Sequence, residues 1–368
     1  MKKFILIIIL IFFSKYAYSN NLFDTPFYTI DFSSNNIEND KLNQIKKIKI
    51  ESILFIFKNI LDNKNYQNII KYISEDLINT FIKNIIINDE KIINDKYFSK
   101  IKINFNKKKI IDFLRLNNVP YVEYYPNKFL LIIYEVDGIN NNLFTKNNNY
   151  YKYFNENLEH NNFFLIPNLD INDRFILKDE HIIDKNLNKI KNFSKKYKSK
   201  EILVVISNKN KFIKDYELIL YSEDNFIESK LLNIKDDTKL FFETLKKETL
   251  NLWKQINQIQ NDSINNINCK ILYFNKLELK EIRSNLDNVS IINNLIIKKI
   301  SYQNIEYEIN YYGNTSLLFK IFEINKLKIT DIKNNCTIRL KWLIKKVLPL
   351  NLMMFRMNII SLLMKQII

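Results

Sequence analysis

Alanine is almost missing from this 368-residue chain, in which Ala17 stands alone. Glycine, cysteine and histidine occur only twice each. Each shortage excludes something. A phosphate-cradling loop needs several glycines so that backbone N–H groups can approach the anion. With only Gly138 and Gly313, neither a Walker loop nor a Rossmann fingerprint can be assembled. A Ser-His-Asp hydrolase holds a histidine between nucleophile and carboxylate, and neither His160 nor His181 lies in such a motif. Zinc would need Cys269, Cys336, His160 and His181 to converge, and their spacing matches no metal motif. No cofactor or metal is implied.

What remains is dominated by Ile, Asn, Lys, Phe and Tyr, the vocabulary of AT-rich coding. Against that background the lone alanine is informative. Lys2 and Lys3 precede an unbroken apolar run from Phe4 to Phe13, and Ala17-Tyr-Ser19 follows as a small-x-small triplet. This is the pattern of a secretory leader. As a helix the run would span about 15 Å, half of a ~30 Å hydrocarbon core, too short for a stable anchor. The expectation is cleavage after Ser19, export and a periplasmic address, with no cysteine nearby to carry a lipid.

The formal net charge is +16. Three of the lysines lie in the leader, and the last thirty residues hold six cations and no acid, so the body is near +7. Lysine codons are AT-rich, which weakens any nucleic-acid reading, and export removes that partner. Peripheral contact with the inner membrane or peptidoglycan is compatible with the charge. A disulfide between Cys269 and Cys336 is allowed in an oxidising compartment. The place of Cys336 at the edge of an unusual tail favours two separate thiols.

Hydropathy patterning predicts an α+β protein. Residues 27–32 alternate as a strand; 40–61 is a helix with Leu42, Ile45, Ile48, Ile53, Phe55 and Ile56 at helical spacing; a second helix covers 67–78. Strands at 85–93 and 97–105 form an antiparallel pair. A central α/β layer follows, with a helix at 107–116, buried strands at 129–134, 163–166 and 201–207, helices near 150–158 and 185–197, a hairpin over 212–234 and a long helix at 237–259. Beyond Cys269 the order is strand, helix, strand, strand, helix, strand, a ferredoxin-like βαββαβ module. The expected domains are a leader (1–19), an N-terminal strand with helices (20–100), the central layer (101–262), the βαββαβ module (263–335) and a tail (336–368).

The tail breaks the composition. After Met1 no methionine appears until Met353, and Met354, Met357 and Met364 follow closely. It reads as an amphipathic helix, as a spanning helix burdened by about 2.5–3.5 kcal/mol for a central Arg356, or as read-through into a shifted frame.

The most site-like cluster is Pro167-Asn-Leu-Asp170-Ile-Asn-Asp173-Arg174, after a buried strand, where α/β sheets place ligands. Asp170 and Asp173 could serve as an acid/base pair or as cation ligands. The competing reading is that they cap the next helix or pair with Arg174.

Seven blocks occur in an order that resembles a family. They are Asn88-Asp-Glu-Lys, Tyr97-Phe-Ser-Lys-Ile-Lys-Ile-Asn-Phe, Phe113-Leu-Arg-Leu-Asn-Asn-Val-Pro-Tyr, Phe129-Leu-Leu-Ile-Ile, Ile166-Pro-Asn-Leu-Asp-Ile-Asn-Asp, Phe193-Ser-Lys-Lys-Tyr-Lys-Ser-Lys-Glu-Ile-Leu-Val-Val and Tyr312-Gly-Asn-Thr-Ser-Leu-Leu. Together they are similar to the proteobacterial envelope proteins grouped as domain of unknown function 2066, over residues 25–332. The resemblance implies an exported protein without an assigned activity and transfers no catalytic residue. The stretch 185–234 also looks similar to the helix–strand–hairpin of periplasmic assembly modules. The expectation is a non-enzymatic binding or scaffolding component with envelope-protein partners; the alternative is a periplasmic hydrolase or cation-binding enzyme using Asp170 and Asp173.

Overall fold

The structure, a computed structural model, describes residues 22–137, 140–143, 149–156, 162–168, 170–209, 214–222, 225–234, 237–332 and 335–341. Ala17, Ser19, His160 and the tail from 342 on lie outside the described residues. The described residues form a mixed α/β structure with three sheets. It divides into two compact units, one made of the chain up to Asn59 with Ser74–Lys107, the other of Ile60–Ile73 with Lys108 onward.

The first unit holds β1 (Tyr28–Ser33), α1 (Ile37–Ile60, whose last residue falls across the boundary), α3 (Glu75–Phe81), β2 (Ile82–Ile93) and β3 (Lys96–Phe105). The short helix α2 (Asn63–Ile69) belongs to the second unit. The expected helix over 67–78 is therefore two helices. Asp62 caps α2 by accepting from Asn65 N at 2.7 Å, and Ser74 caps α3 by accepting from Leu77 N at 3.3 Å. The break comes at Ile73, which is extended, and at the Ser74 cap, against an apolar spacing that runs on unbroken. Along α1 the buried stripe is Ile48, Ser52, Ile53, Ile56 and Phe57, while Leu42 and Phe55 face water. The sheet order is β1-β3-β2, all antiparallel, so β2 forms an edge. β3 alternates, with Tyr97, Ser99, Ile101, Ile103 and Phe105 buried. Its last residue stays in this sheet, and Asn106 N donates to Phe81 O at 2.7 Å, which moves the expected boundary at 100 to Lys107.

The second unit begins its main sheet with α4 (Lys107–Leu116) and β4 (Phe129–Asp137). β5 (Asn140–Leu143), α5 (Asn149–Glu156), β6 (Phe164–Leu165), α6 (Ile171–Ile176), α7 (Asp179–Ile183) and α8 (Leu187–Lys196) follow. β7 (Glu201–Lys209), β8 (Lys214–Ser222), β9 (Asn225–Ile234) and α9 (Thr238–Asn257) complete this part. The strand order is β5-β4-β7-β8-β9, with β6 beside β4. β4 and β7 pair in parallel and the hairpin is antiparallel, as the alternation of buried strands and helices suggests. Phe129 to Tyr134 are all buried because helices cover both faces. Leu177, Ile182, Ile190 and Phe193 pack under Leu130, Ile132, Ile202 and Val204. On the other face Phe241 of α9 meets Tyr150 at 4.9 Å and Tyr216 at 4.4 Å between ring centroids. Along β4 the pairing with β6 ends at Leu130 and that with β5 begins at Tyr134, leaving Ile133 N without a ladder partner. The Tyr151 hydroxyl accepts from it at 2.9 Å.

The third sheet is built from β10 (Ile264–Leu272), β11 (Ile292–Ser301), β12 (Asn304–Tyr312), β13 (Leu327–Ile332) and β14 (Asn335–Leu340), with α10 (Lys276–Asp287) and α11 (Thr315–Ile324) between strands. Gly313 leads into α11 at φ +76, a conformation that favours glycine, and Asn314 caps the helix by accepting from Leu317 N at 2.8 Å. The βαββαβ order holds, but the sheet order is β11-β12-β10-β14-β13. In a split βαββαβ sheet β13 would lie next to β10. Here β14 occupies that place, parallel to β10 over Cys269–Ile271 and antiparallel to β13.

Two expectations are corrected by this strand. Residues 336–340, assigned to the tail, complete the sheet, with Cys336, Ile338 and Leu340 buried. Cys269 and Cys336 are not separate thiols: the parallel register sets them opposite each other, and they form a disulfide with Cα atoms 4.5 Å apart. The expected boundary at 262/263 also disappears, because both parts fall in one unit. Ile259 bridges to Tyr121, and Asn261 Nδ2 donates to Val119 O at 2.9 Å.

Candidate functional site

The 167–174 cluster lies where β6 ends. Pro167 is buried, and Asp170 opens α6. Asp170 Oδ1 accepts from Asp173 N at 2.8 Å, a helix cap. That N–H, with Lys196 beside it, holds the Asp170 carboxyl below the ordinary aspartate range. Asp173 faces inward and is fully buried. The C-terminal end of α8 supplies its partners: Lys196 Nζ lies 2.6 Å from Oδ1, and the Tyr197 hydroxyl donates to Oδ2 at 2.6 Å. Tyr197 in turn accepts from Asn168 N at 2.9 Å, and Lys196 also reaches Asp170 Oδ1 at 3.1 Å.

Both carboxylates are thus engaged in holding a short helix to the end of a longer one. Asp173 has each oxygen occupied, whereas a general base needs a lone pair aimed at substrate. Burial pushes the Tyr197 hydroxyl up to about 12, and its donation to Asp173 adds to this. Asp173 holds Lys196 protonated above the ordinary lysine range. Lys196 pairs with Asp173, a partner that the sequence does not announce; Arg174 lies exposed on α6. Asp170 was legible as a cap. Lys196 and Tyr197 were not, because only the chain path brings residues more than twenty positions away to the same point.

Replacing Asp173 by alanine leaves the Tyr197 hydroxyl and the Lys196 ammonium without their buried acceptor, and is expected to cost about 3 kcal/mol in a urea unfolding titration. Asp170→Ala, at an exposed cap, is expected to cost clearly less. Equal losses would contradict the difference in burial.

Sequence reading missed two further polar centres, both in the second unit. Arg115 of α4 donates from Nη2 to Tyr121 Oη at 3.1 Å and to Ser290 O, and its guanidinium lies 4.3 Å from the centre of the Tyr312 ring. Ser290 Oγ donates to Glu123 Oε2 at 2.6 Å. Glu201, 1% exposed at the start of β7, meets Lys320 of α11 at 3.3 Å, and Lys320 lies over the Tyr124 ring at 4.7 Å. These groups fasten the third sheet to the segment before β4 and to β7. A single residue carries no pattern that would have announced either centre.

His181 is a helix-end histidine: its Nδ1 accepts from Lys178 N at 3.1 Å at the start of α7. Among the described residues no group of three His, Cys, Asp or Glu side chains is placed to hold a metal ion. No described helix is long and apolar enough to cross a membrane.

The surface offers a different kind of candidate. β2 is twelve residues long at the edge of its sheet, and ten of its residues are exposed. Ile85, Ile87, Ile92 and Ile93 are among them, the last 67% exposed. Natural edges are normally short, charged or covered; β2 carries Lys83, Asp89, Glu90 and Lys91, yet at twelve residues it is long enough to be a template for pairing with another chain. A bulge between Asn88 and Lys91, with Asp89 at φ 54, twists the outer part of the strand without hiding its isoleucines. No family model matches the chain, and no curated protein matches it significantly.

Proposed function

We propose that this protein is an exported, non-enzymatic binding or scaffolding component of the bacterial envelope, acting in the periplasm after its leader is removed. The observation that carries this reading is β2, a twelve-residue edge strand with four isoleucines in water. Such an edge suits β-augmentation, in which an extended segment of a partner adds a strand and main-chain hydrogen bonds supply affinity. The Cys269–Cys336 disulfide is compatible with an oxidising compartment. Membership of domain of unknown function 2066 belongs to the same proposal and rests on the seven ordered blocks.

The test compares the full chain with a variant in which Ile85, Ile87, Ile92 and Ile93 are all lysine, each used to retain proteins from an envelope extract. Lysine on the edge keeps the strand but opposes pairing. A reproducible partner held by the parent chain and lost from the variant is expected. Equal retention by both, or no reproducible partner at all, contradicts the proposal.

A further inference from the structure

The β11–β12 end of the third sheet carries a second exposed apolar group. β11 and β12 are joined by a two-residue turn, Tyr302-Gln303, with Gln303 at φ 56. The chain leaving β10 runs beside this turn: Tyr273 N donates to Gln303 O at 3.1 Å, and Gln303 Nε2 donates to Phe274 O at 3.3 Å. Asn275 then caps α10, placing Leu277 in its first turn. Four large apolar side chains therefore gather at one end of the sheet. Phe274 is 61% exposed, Leu277 79%, Ile300 66% and Tyr302 87%.

Two properties define what this end can meet. The first is shape. Residues exposed to this degree stand out from the surface and do not line a concave small-molecule pocket. The second is charge. Lys276 and Lys299 are chain neighbours of Leu277 and Ile300, and Lys280 lies one turn further along α10. All three are exposed, and among the described residues none is ion-paired with a carboxylate. The neighbouring Lys270 and Lys298, by contrast, are paired with Glu306 and Glu308 at 3.1 and 2.5 Å. Lys299 stands opposite Glu306 across the β11–β12 pair, but Glu306 is taken by Lys270. Projecting aromatic and aliphatic side chains flanked by lysines that make no ion pair match a lipid–water interface. There the apolar tips enter the acyl boundary while the long lysine stems let the ammonium groups stay with anionic headgroups.

We infer that this end of the third sheet docks the protein peripherally on an anionic lipid surface. The contact is shallow and reversible. It stands whether or not β2 binds a partner.

The experiment is co-sedimentation of the full chain with phosphatidylethanolamine vesicles, with and without phosphatidylglycerol. Binding is expected only with the anionic lipid, falling as salt rises because exposed charges are screened. Lys276→Glu/Lys280→Glu/Lys299→Glu is expected to lower the partition coefficient at least about a hundredfold, at roughly a factor of five or more per lysine near the surface. Leu277→Ser/Tyr302→Ser is expected to lower it at least about tenfold. All five positions are exposed, so circular dichroism and melting should be unchanged in both variants. The variants differ from the parent only here, so any binding carried elsewhere in the chain would persist in them. Equal sedimentation of parent and variants, equal binding to purely zwitterionic vesicles, or no vesicle binding would each overturn the inference. Retention of an acidic peptide in place of anionic vesicles would reassign this surface to a protein partner.

Discussion

Replacing Cys269 and Cys336 together by serine is expected to lower the unfolding free energy of the second unit by about 4 kcal/mol, the chain-entropy value for a loop of this size. The two cysteines are 67 residues apart and enclose α10, β11, β12, α11 and β13. Cross-linking them confines the unfolded chain over nearly the whole sheet. The native partners are close without the bond as well, because β14 lies in register with β10 over Cys269–Ile271. The folded sheet should therefore survive the double substitution, and the loss should appear as a lower midpoint rather than as a changed fold. Denaturant melts of the parent, the double serine variant and the reduced parent measure this. The last two should agree. A reduced parent as stable as the oxidised one would show that the bond adds nothing beyond strand pairing.

Alkaline solution is expected to destabilise the second unit steeply. Tyr121 and Tyr151 are fully buried, and burial pushes both hydroxyls well above their ordinary value of 10.0. Arg115 beside Tyr121 favours the ionised form, but desolvation outweighs it. Above pH 10 the unfolded chain releases protons that the native chain retains. The stabilisation is complete below that pH and is lost as pH rises toward the native values. Each tyrosine contributes a slope of about 1.4 kcal/mol per pH unit, so the pair contributes roughly 3 kcal/mol per unit. Urea titrations on either side of pH 10 read the slope, and the ultraviolet tyrosinate band reports whether ionisation and unfolding coincide. Tyr151→Phe removes the acceptor for Ile133 N and should cost about 1 kcal/mol at neutral pH, yet lose less on going alkaline. Stability that stays flat through this range, with tyrosines ionising in the folded protein, would contradict the burial argument.

Sequence patterning reached the strands further than the helices. β3 and β12 alternate cleanly, and Phe129–Tyr134 is a continuous apolar run that a two-faced sheet buries whole. Helices α6 and α7 have six and five residues, too few for a 3.6-residue period to register. The split between α2 and α3 depends on the extended Ile73 and on Ser74 as the cap of α3, against an apolar spacing that continues through both. β14 shows how composition can mislead. Cys336, Ile338 and Leu340 alternate as strand residues do, yet the unusual segment after them drew the boundary too early. At the aspartate cluster the cap of Asp170 was visible locally, while the burial of Asp173 against Lys196 and Tyr197 depended on where α8 ends. The exposure of β2 was not legible at all: its isoleucines look like core residues until the sheet order makes the strand an edge.

That edge is the centre of the functional proposal, and crosslinking in living cells tests it most directly. A photo-reactive residue would replace Ile87 or Ile93 on β2, and in parallel Leu116, which is 85% exposed at the end of α4. The proposal expects one discrete adduct, recovered with the periplasmic or envelope fraction, from both β2 positions and none from Leu116. No adduct from β2, or the same diffuse set of products from all three positions, would contradict a role in binding through this strand.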